Sequence, residues 1–216
     1  MKLITIDFEG TMVNFQWNLD GAVTETIAAM SEDGVDTALL KGMNYAALYN
    51  FVKEKEQDWG FADGHLISRV SSIYDKYDLD AASRWKPADG LVGTLRQLNG
   101  CRLAIVSNVG SLGLAKVLPK FGLDQSFSIT VTRNDVTLMK PDPEGLLRAI
   151  ATCGAAKDEV IHIGDSLSDI HAARSAGVKI GIVLGGENKP EVLLREEPDL
   201  VVDKFSDLPG ALAKLG

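Results

Sequence analysis

The chain reads as an α/β protein, a doubly wound Rossmann-like parallel sheet that carries an inserted, all-helical cap. Three observations predict this. Short apolar runs rich in β-branched residues recur along the chain, each closing on Gly, Ser or Asp before a helical pattern begins. The runs are continuous rather than alternating, as expected of strands covered by helices on both faces. From about residue 90 onward strand and helix patterns alternate, the order of a doubly wound sheet.

The elements follow in order. The first strand is Leu3–Ile6. Residues 14–86 then lack a convincing strand, while Val23–Met30, Tyr45–Lys55 and Leu66–Tyr77 place apolar residues three and four apart, with Gly34, Gly42, Gly60 and Gly64 as punctuation. That is a helical insertion, and Pro87 marks its return. The predicted core domain is therefore residues 1–13 joined to 88–216, with a cap over 14–87. Further strands are expected at Leu103–Ser107, Ser128–Thr132, Val160–Ile163, Lys179–Leu184 and Leu200–Val202. Helices are expected at Leu91–Leu98, Leu112–Leu118, Glu144–Cys153, Leu167–Ala176 and Glu191–Glu197, with one more to close the chain.

Composition narrows the function. Of 216 residues 45% are apolar and 24% charged, which suits a self-folding globular chain. Its 22 basic against 30 acidic residues leave a formal charge of −8, which argues against nucleic acid and against an anionic membrane surface. A small-molecule partner is expected instead. Cys101 and Cys153 sit among small apolar residues and read as reduced packing residues. The opening apolar run meets Asp7 well short of a signal segment, and no stretch approaches the ~20 apolar residues of a membrane helix. A soluble, cytoplasmic protein is expected, either a monomer or a homodimer.

The chemistry-bearing residues lie just past strand ends. Asp7-Phe8-Glu9-Gly10-Thr11 places two carboxylates on one side of an extended segment at the carboxyl edge of the sheet, where α/β folds bind ligands. Taken alone, it is equally compatible with a strand closing in a polar turn. Ser107-Asn108-Val109-Gly110 could bind a phosphate oxygen or simply cap a helix. Lys140 precedes Pro141 and a proline-initiated helix, and a lone lysine there is more often a solvated charge. Gly164-Asp165 with Asp169 could hold a hard cation through oxygen or cap the next helix. Together these groups make a coherent set for phosphoryl chemistry. One carboxylate attacks phosphorus, a cation and an ammonium offset charge on the oxygens, and a second acid handles protons.

On these four segments the chain resembles the haloacid dehalogenase superfamily, specifically its phosphoglycolate phosphatase-like branch with a helical cap. The resemblance spans essentially the whole chain, down to the closing strand Pro198–Val202 and the final helix. It implies a Mg²⁺-dependent phosphatase of small phosphorylated metabolites, phosphoglycolate or a sugar phosphate being the natural first tests. Asp7 would become an aspartyl phosphate, and Mg²⁺ would sit between its carboxylate, the backbone carbonyl of Glu9 and the side chain of Asp165. Asp169 would complete or orient that acidic end. Ser107 and Asn108 would bind the phosphoryl oxygens, with Thr11 also at the phosphate, and Lys140 would hold both Asp7 and phosphate.

Glu9 departs from the family pattern, which usually has aspartate there to protonate the leaving alkoxide and then activate water. The extra methylene moves the carboxyl by roughly an ångström, a displacement that can cost about 10²-fold in rate. Either activity is low or the surroundings are retuned to the longer side chain. Two other readings therefore accompany the phosphatase: a phosphomutase on the same core, and a low-activity phosphate-binding or regulatory protein. Asn14, Gln16 and Trp17, with the cap residues Lys41, Arg69, Arg84 and Lys86, are candidates to choose the substrate, Trp17 by roofing the pocket and Arg69 by binding the substrate. For each of these basic residues a solvated helix face is the blander alternative. Trp59 and Trp85 read as cap packing or hinge cover. His65, His162 and His171 form no cluster, and the Gly185-Gly186 turn could approach ligand or merely end a strand.

Overall fold

The computed structural model describes residues 1–215. Six parallel strands form one sheet: β1 (Leu3–Ile6), β2 (Arg102–Val106), β3 (Ile129–Val131), β4 (Val160–Gly164), β5 (Lys179–Val183) and β6 (Leu200–Val202). Their spatial order is β3-β2-β1-β4-β5-β6. β1 is central, with Leu3 opposite both Arg102 and Val160 and Ile6 opposite both Ile105 and Ile163. The chain runs outward from β1 through β2 and β3, then crosses to β4 on the other side. The switch point of the topology thus lies between β1 and β4, where a crevice opens beyond the strand ends.

Successive residues of each strand serve opposite faces. Ile4, Ile6, Ile105, Ile161 and Ile163 join one hydrophobic cluster, while Leu3, Ala104, Val106, Val160 and Ile182 join another. Burial on both faces is why the sequence runs are apolar without alternation.

Three α-helices lie between β1 and Pro87: α1 (Leu19–Glu32), α2 (Tyr45–Lys55) and α3 (His65–Ala82). Asn18 caps α1 by accepting from Gly21 N at 3.0 Å, and Asn44 caps α2 by accepting from Ala47 N at 2.8 Å. Gly64 precedes α3 and has no side chain to cap it. The buried carboxylate of Glu56 does so instead, accepting from Gly64 N, Leu66 N and Ile67 N at 2.8, 3.1 and 3.2 Å. α1 starts earlier than its apolar periodicity suggests because of its asparagine cap. α3 outlasts its predicted end at Tyr77 because Asp78, Ala81 and Ala82 are buried. The segments that leave and re-enter the sheet run side by side: Asn14 N donates to Lys86 O and Ala88 N to Met12 O, at 3.1 and 2.9 Å.

The remaining helices are α4 (Leu91–Gln97), α5 (Ser111–Val117), α6 (Glu144–Cys153), α7 (Leu167–Ala176), α8 (Pro190–Leu194) and α9 (Leu208–Leu215). α6 buries Leu146, Ala149 and Ile150 on the second sheet face, and α7 adds Ile170 and Ala173. α8 ends before its expected Glu197, whose φ of 49° lies outside helical space. Among the described residues, no helix is long and apolar enough to cross a membrane.

Candidate active site

The strand ends deliver the polar residues. Asp7 N donates to Ile163 O at 2.8 Å, carrying the β1–β4 ladder one residue past β1, and Ser107 N donates to Val131 O at 3.0 Å beyond β2. Their side chains meet Lys140, Asp165, Glu9 and Asn108 around one cavity. Lys140 Nζ bridges Asp7 Oδ1 at 2.7 Å and Asp169 Oδ1 at 2.5 Å. Asn108 Nδ2 donates to Lys140 O at 3.0 Å, tying the turn after β2 to the lysine loop.

Asp7, Asp165 and Asp169 each offer a carboxylate oxygen within 4.8 Å of the others, all three buried. Burial raises the Asp7 pKa above the usual carboxylate range despite the attraction of Lys140. Asp165 is raised further, by burial and then by the charges of Asp7 and Asp169. Asp169 goes the other way: burial opposes its ionisation, but Lys140 and His162 hold it well below the usual range. Lys140 stays protonated because Asp169 and Asp7 outweigh its burial. Three buried carboxylates against one ammonium leave the cluster short of positive charge, and an all-oxygen donor set suits a hard divalent cation. The residues therefore fit Mg²⁺.

They do not fit it equally. Asp169 Oδ1 takes Lys140 Nζ and His162 Nε2, and its Oδ2 accepts from Asp165 N, Ser166 N and Ser166 Oγ at 3.2, 3.1 and 2.6 Å. Its lone pairs are occupied, so it orients its neighbours rather than adding a free ligand. His162 lies in the buried strand β4 and reads both sides of this network, with Nδ1 3.0 Å from Thr5 Oγ1 and Nε2 2.9 Å from Asp169 Oδ1.

Thr11 corrects an expectation. Its hydroxyl does not face the cavity but donates to Asp165 Oδ1 at 2.6 Å, while Glu187 N donates to Asp165 Oδ2 at 2.7 Å. Two glycines make room for that carboxylate. A Cβ on Gly10, whose φ is +87°, would fall 2.2 Å from Asp165 Oδ2, and one on Gly186 would fall 2.0 Å from it. The Gly185-Gly186 turn thus packs on Asp165.

Glu9 is buried and held. Its Oε1 accepts from Trp85 Nε1 at 2.8 Å and from Gln16 N at 2.7 Å. Burial pushes its pKa up to about 7 against these two hydrogen bonds. A carboxyl titrating near neutrality can give and take a proton at working pH. Trp85 is therefore more than packing, although its ring also meets Phe8 edge-on at 5.2 Å.

From the helical insertion, Phe15, Trp17, Leu19, Tyr45 and Asp78 line the cavity. Trp17 lines it and packs on Tyr45 and Tyr74 at 4.9 and 5.2 Å between ring centres. Arg69 does not reach the site. It lies on α3, paired with Glu32 and, at 2.7 Å, with Asp33, so its charge is already used within the cap. Arg84 pairs with Asp80 at 2.8 Å, and Lys41 and Lys86 are exposed.

Several contributors escape sequence reading. Arg133, 1% exposed, joins Asp75 and Asp78 of α3 at 2.5 and 2.9 Å and donates to Asn108 O at 2.9 Å. Asp78 also accepts from Gly110 N at 2.8 Å. Asn50 of α2 exchanges two hydrogen bonds with the Met139 backbone, at 2.8 and 3.0 Å, next to Lys140. The cap is thus fastened to both the serine turn and the lysine loop. Glu187 enters the cavity from the turn after β5, its pKa raised to about 7 by burial and then by Asp169 and Asp7. An acid just past a strand end on this edge was the available signal.

Residues 1–177 match the model of the haloacid dehalogenase-like hydrolases. The phosphoglycolate phosphatase of Salmonella choleraesuis is 35% identical over 97% of this chain and 91% of its own length. The pyrophosphatase PpaX of Halalkalibacterium halodurans is 37% identical over 54% of this chain and 59% of its own. A haloacid dehalogenase-like hydrolase from Bacteroides fragilis superposes with a TM-score of 0.66 at 24% identity, covering 96% of this chain and 99% of that one. Architecture and family model agree, and the chain belongs to the haloacid dehalogenase-like hydrolases.

Proposed function

We propose that this chain is a Mg²⁺-dependent phosphatase of a small phosphorylated metabolite, working through an aspartyl phosphate on Asp7. The observation that carries the reading is the convergence of Asp7, Glu9, Lys140 and Asp165 on one cavity, with Lys140 Nζ 2.7 Å from Asp7 Oδ1. Asp7, Asp165 and the Glu9 backbone carbonyl would hold the cation, which when bound would supply positive charge against the phosphoryl oxygens. Lys140 fixes Asp7 and offsets further charge, while Ser107 and Asn108 face the same oxygens. An Asp7 oxygen bonds to phosphorus as the ester oxygen leaves, and protonated Glu9 gives that oxygen its proton. Glu9, now a carboxylate, takes a proton from water. The resulting hydroxide attacks phosphorus, releasing phosphate and restoring both acids.

The clamp on Glu9 favours the retuned-surroundings reading over the low-activity one, because two donors already fix the longer carboxyl. The test is phosphate release from a panel of phosphorylated metabolites with Mg²⁺ and with EDTA. Release with Mg²⁺, none with EDTA, and loss of at least about 10³-fold in Asp7→Asn with an unchanged melting temperature are expected. No release from any substrate, or an active Asp7→Asn, removes the proposal.

A further inference from the structure

The cavity that receives the substrate is acidic and aromatic where the leaving group must lie. Among the described residues, Lys140 is the only basic side chain lining it, and that ammonium is bound to Asp7 and Asp169. No lysine or arginine between residues 14 and 87 lines it. Arg69, Lys76 and Arg84 hold Asp33, Glu25 and Asp80 at 2.7, 2.7 and 2.8 Å, and none of the three lines the cavity. Arg133 is close by, but it is buried behind Asp78 and already shared between two carboxylates. The wall contributed by the cap is Phe15, Trp17, Leu19, Tyr45 and Asp78, and Glu187 faces it from the sheet edge.

We infer that the leaving group carries no second negative charge: the substrate is a phosphomonoester of an uncharged, hydroxylated alcohol rather than of a hydroxy acid. This rests on the phosphatase reading above. A carboxylate on the leaving group would lose its hydration without meeting a counter-ion, and would stand beside Asp78 and Glu187. Hydroxyls, by contrast, find acceptors in those carboxylates and a flat apolar surface on Trp17 and Tyr45. The relative from Salmonella choleraesuis named a phosphoglycolate phosphatase matches 97% of this chain, the cap segment included; the inference rests on the wall residues of this chain itself.

A matched pair of two-carbon esters tests this. 2-Hydroxyethyl phosphate and 2-phosphoglycolate differ only in a hydroxymethyl group against a carboxylate, and p-nitrophenyl phosphate serves as the general reporter. With Mg²⁺, kcat/KM for 2-hydroxyethyl phosphate is expected to exceed that for 2-phosphoglycolate at least about tenfold. Where turnover is slow, the same order is expected in Ki against p-nitrophenyl phosphate. Leu19→Arg, which sets a cation on the wall, should narrow the gap by about tenfold. Equal or better handling of 2-phosphoglycolate, recognition of neither ester, or a ratio indifferent to Leu19→Arg overturns the inference while the phosphatase reading stands. Failure to hydrolyse p-nitrophenyl phosphate as well removes both.

Discussion

The indole nitrogen of Trp85 donates to Glu9 Oε1 at 2.8 Å, across 76 residues of sequence. With Gln16 N on the same oxygen at 2.7 Å, it locates a carboxyl that is one methylene longer than the family's usual aspartate. The site is thereby built around glutamate. Glu9→Asp should lower kcat by about 10- to 100-fold, because the shorter side chain leaves both donors behind. Trp85→Phe should lower kcat by a similar factor with little change in KM. Steady-state kinetics decide it, and a faster Glu9→Asp enzyme would show that the glutamate blunts catalysis.

Glu9 also sets a pH dependence of stability. Its carboxyl shifts from 4.5 to about 7 on folding. Between those values the folded chain keeps a proton that the unfolded chain has released, so stability falls as pH rises through the window and stays lost above it. Glu9→Gln removes that loss. In EDTA the variant should gain on the wild type as pH rises, reaching at most about 3 kcal/mol near pH 8 and nothing near pH 4. Urea unfolding at several pH values measures it, and a gap that does not vary with pH contradicts the assignment.

Thr11 holds Asp165, an acid of the proposed cation site, through a 2.6 Å hydrogen bond. Removing its hydroxyl with Thr11→Val should weaken activation by Mg²⁺ by about 10- to 100-fold while leaving the substrate KM at saturating Mg²⁺ nearly unchanged. A Mg²⁺ titration of the rate separates the two. A rise in substrate KM alone would return Thr11 to the phosphate.

Arg133 is a strut between cap and core. Arg133→Met leaves Asp75 and Asp78 without their partner in a buried setting, and should cost about 3–5 kcal/mol in chemical denaturation. Arg133→Lys restores charge but not the two-pronged geometry and should recover only part of this. Stability equal to wild type in Arg133→Met would show that the ion triad contributes nothing net.

The sheet was legible because burial on both faces writes continuous apolar runs, and three strand ends, with the lysine loop after β3, carried the residues that meet at the cavity. The cap helices were legible through their spacing and their glycines: Gly34, Gly42, Gly60 and Gly64 all take positive φ, between 76° and 85°. What escaped was partner choice. A hydroxyl at position 11 shows that a hydrogen bond is available but not that Asp165 receives it. A guanidinium at position 69 shows a charge but not that Glu32 and Asp33 take it. Arg133 and Asp78 are 55 residues apart and follow no periodicity, so only the docking of α3 onto the core brings them together.

The central position of β1 has a consequence for biosynthesis. It leaves the ribosome well before its partners, since Arg102 and Val160 follow Leu3 by 99 and 157 residues. Closing such long loops is slow, and the nascent chain must hold an unpaired apolar strand until both flanks arrive. A translation product that stops short of Asp165 therefore has Asp7 but lacks the acid that the proposed cation site pairs with it. Premature termination yields an inert fragment with an exposed strand, a ready target for chaperones and proteases.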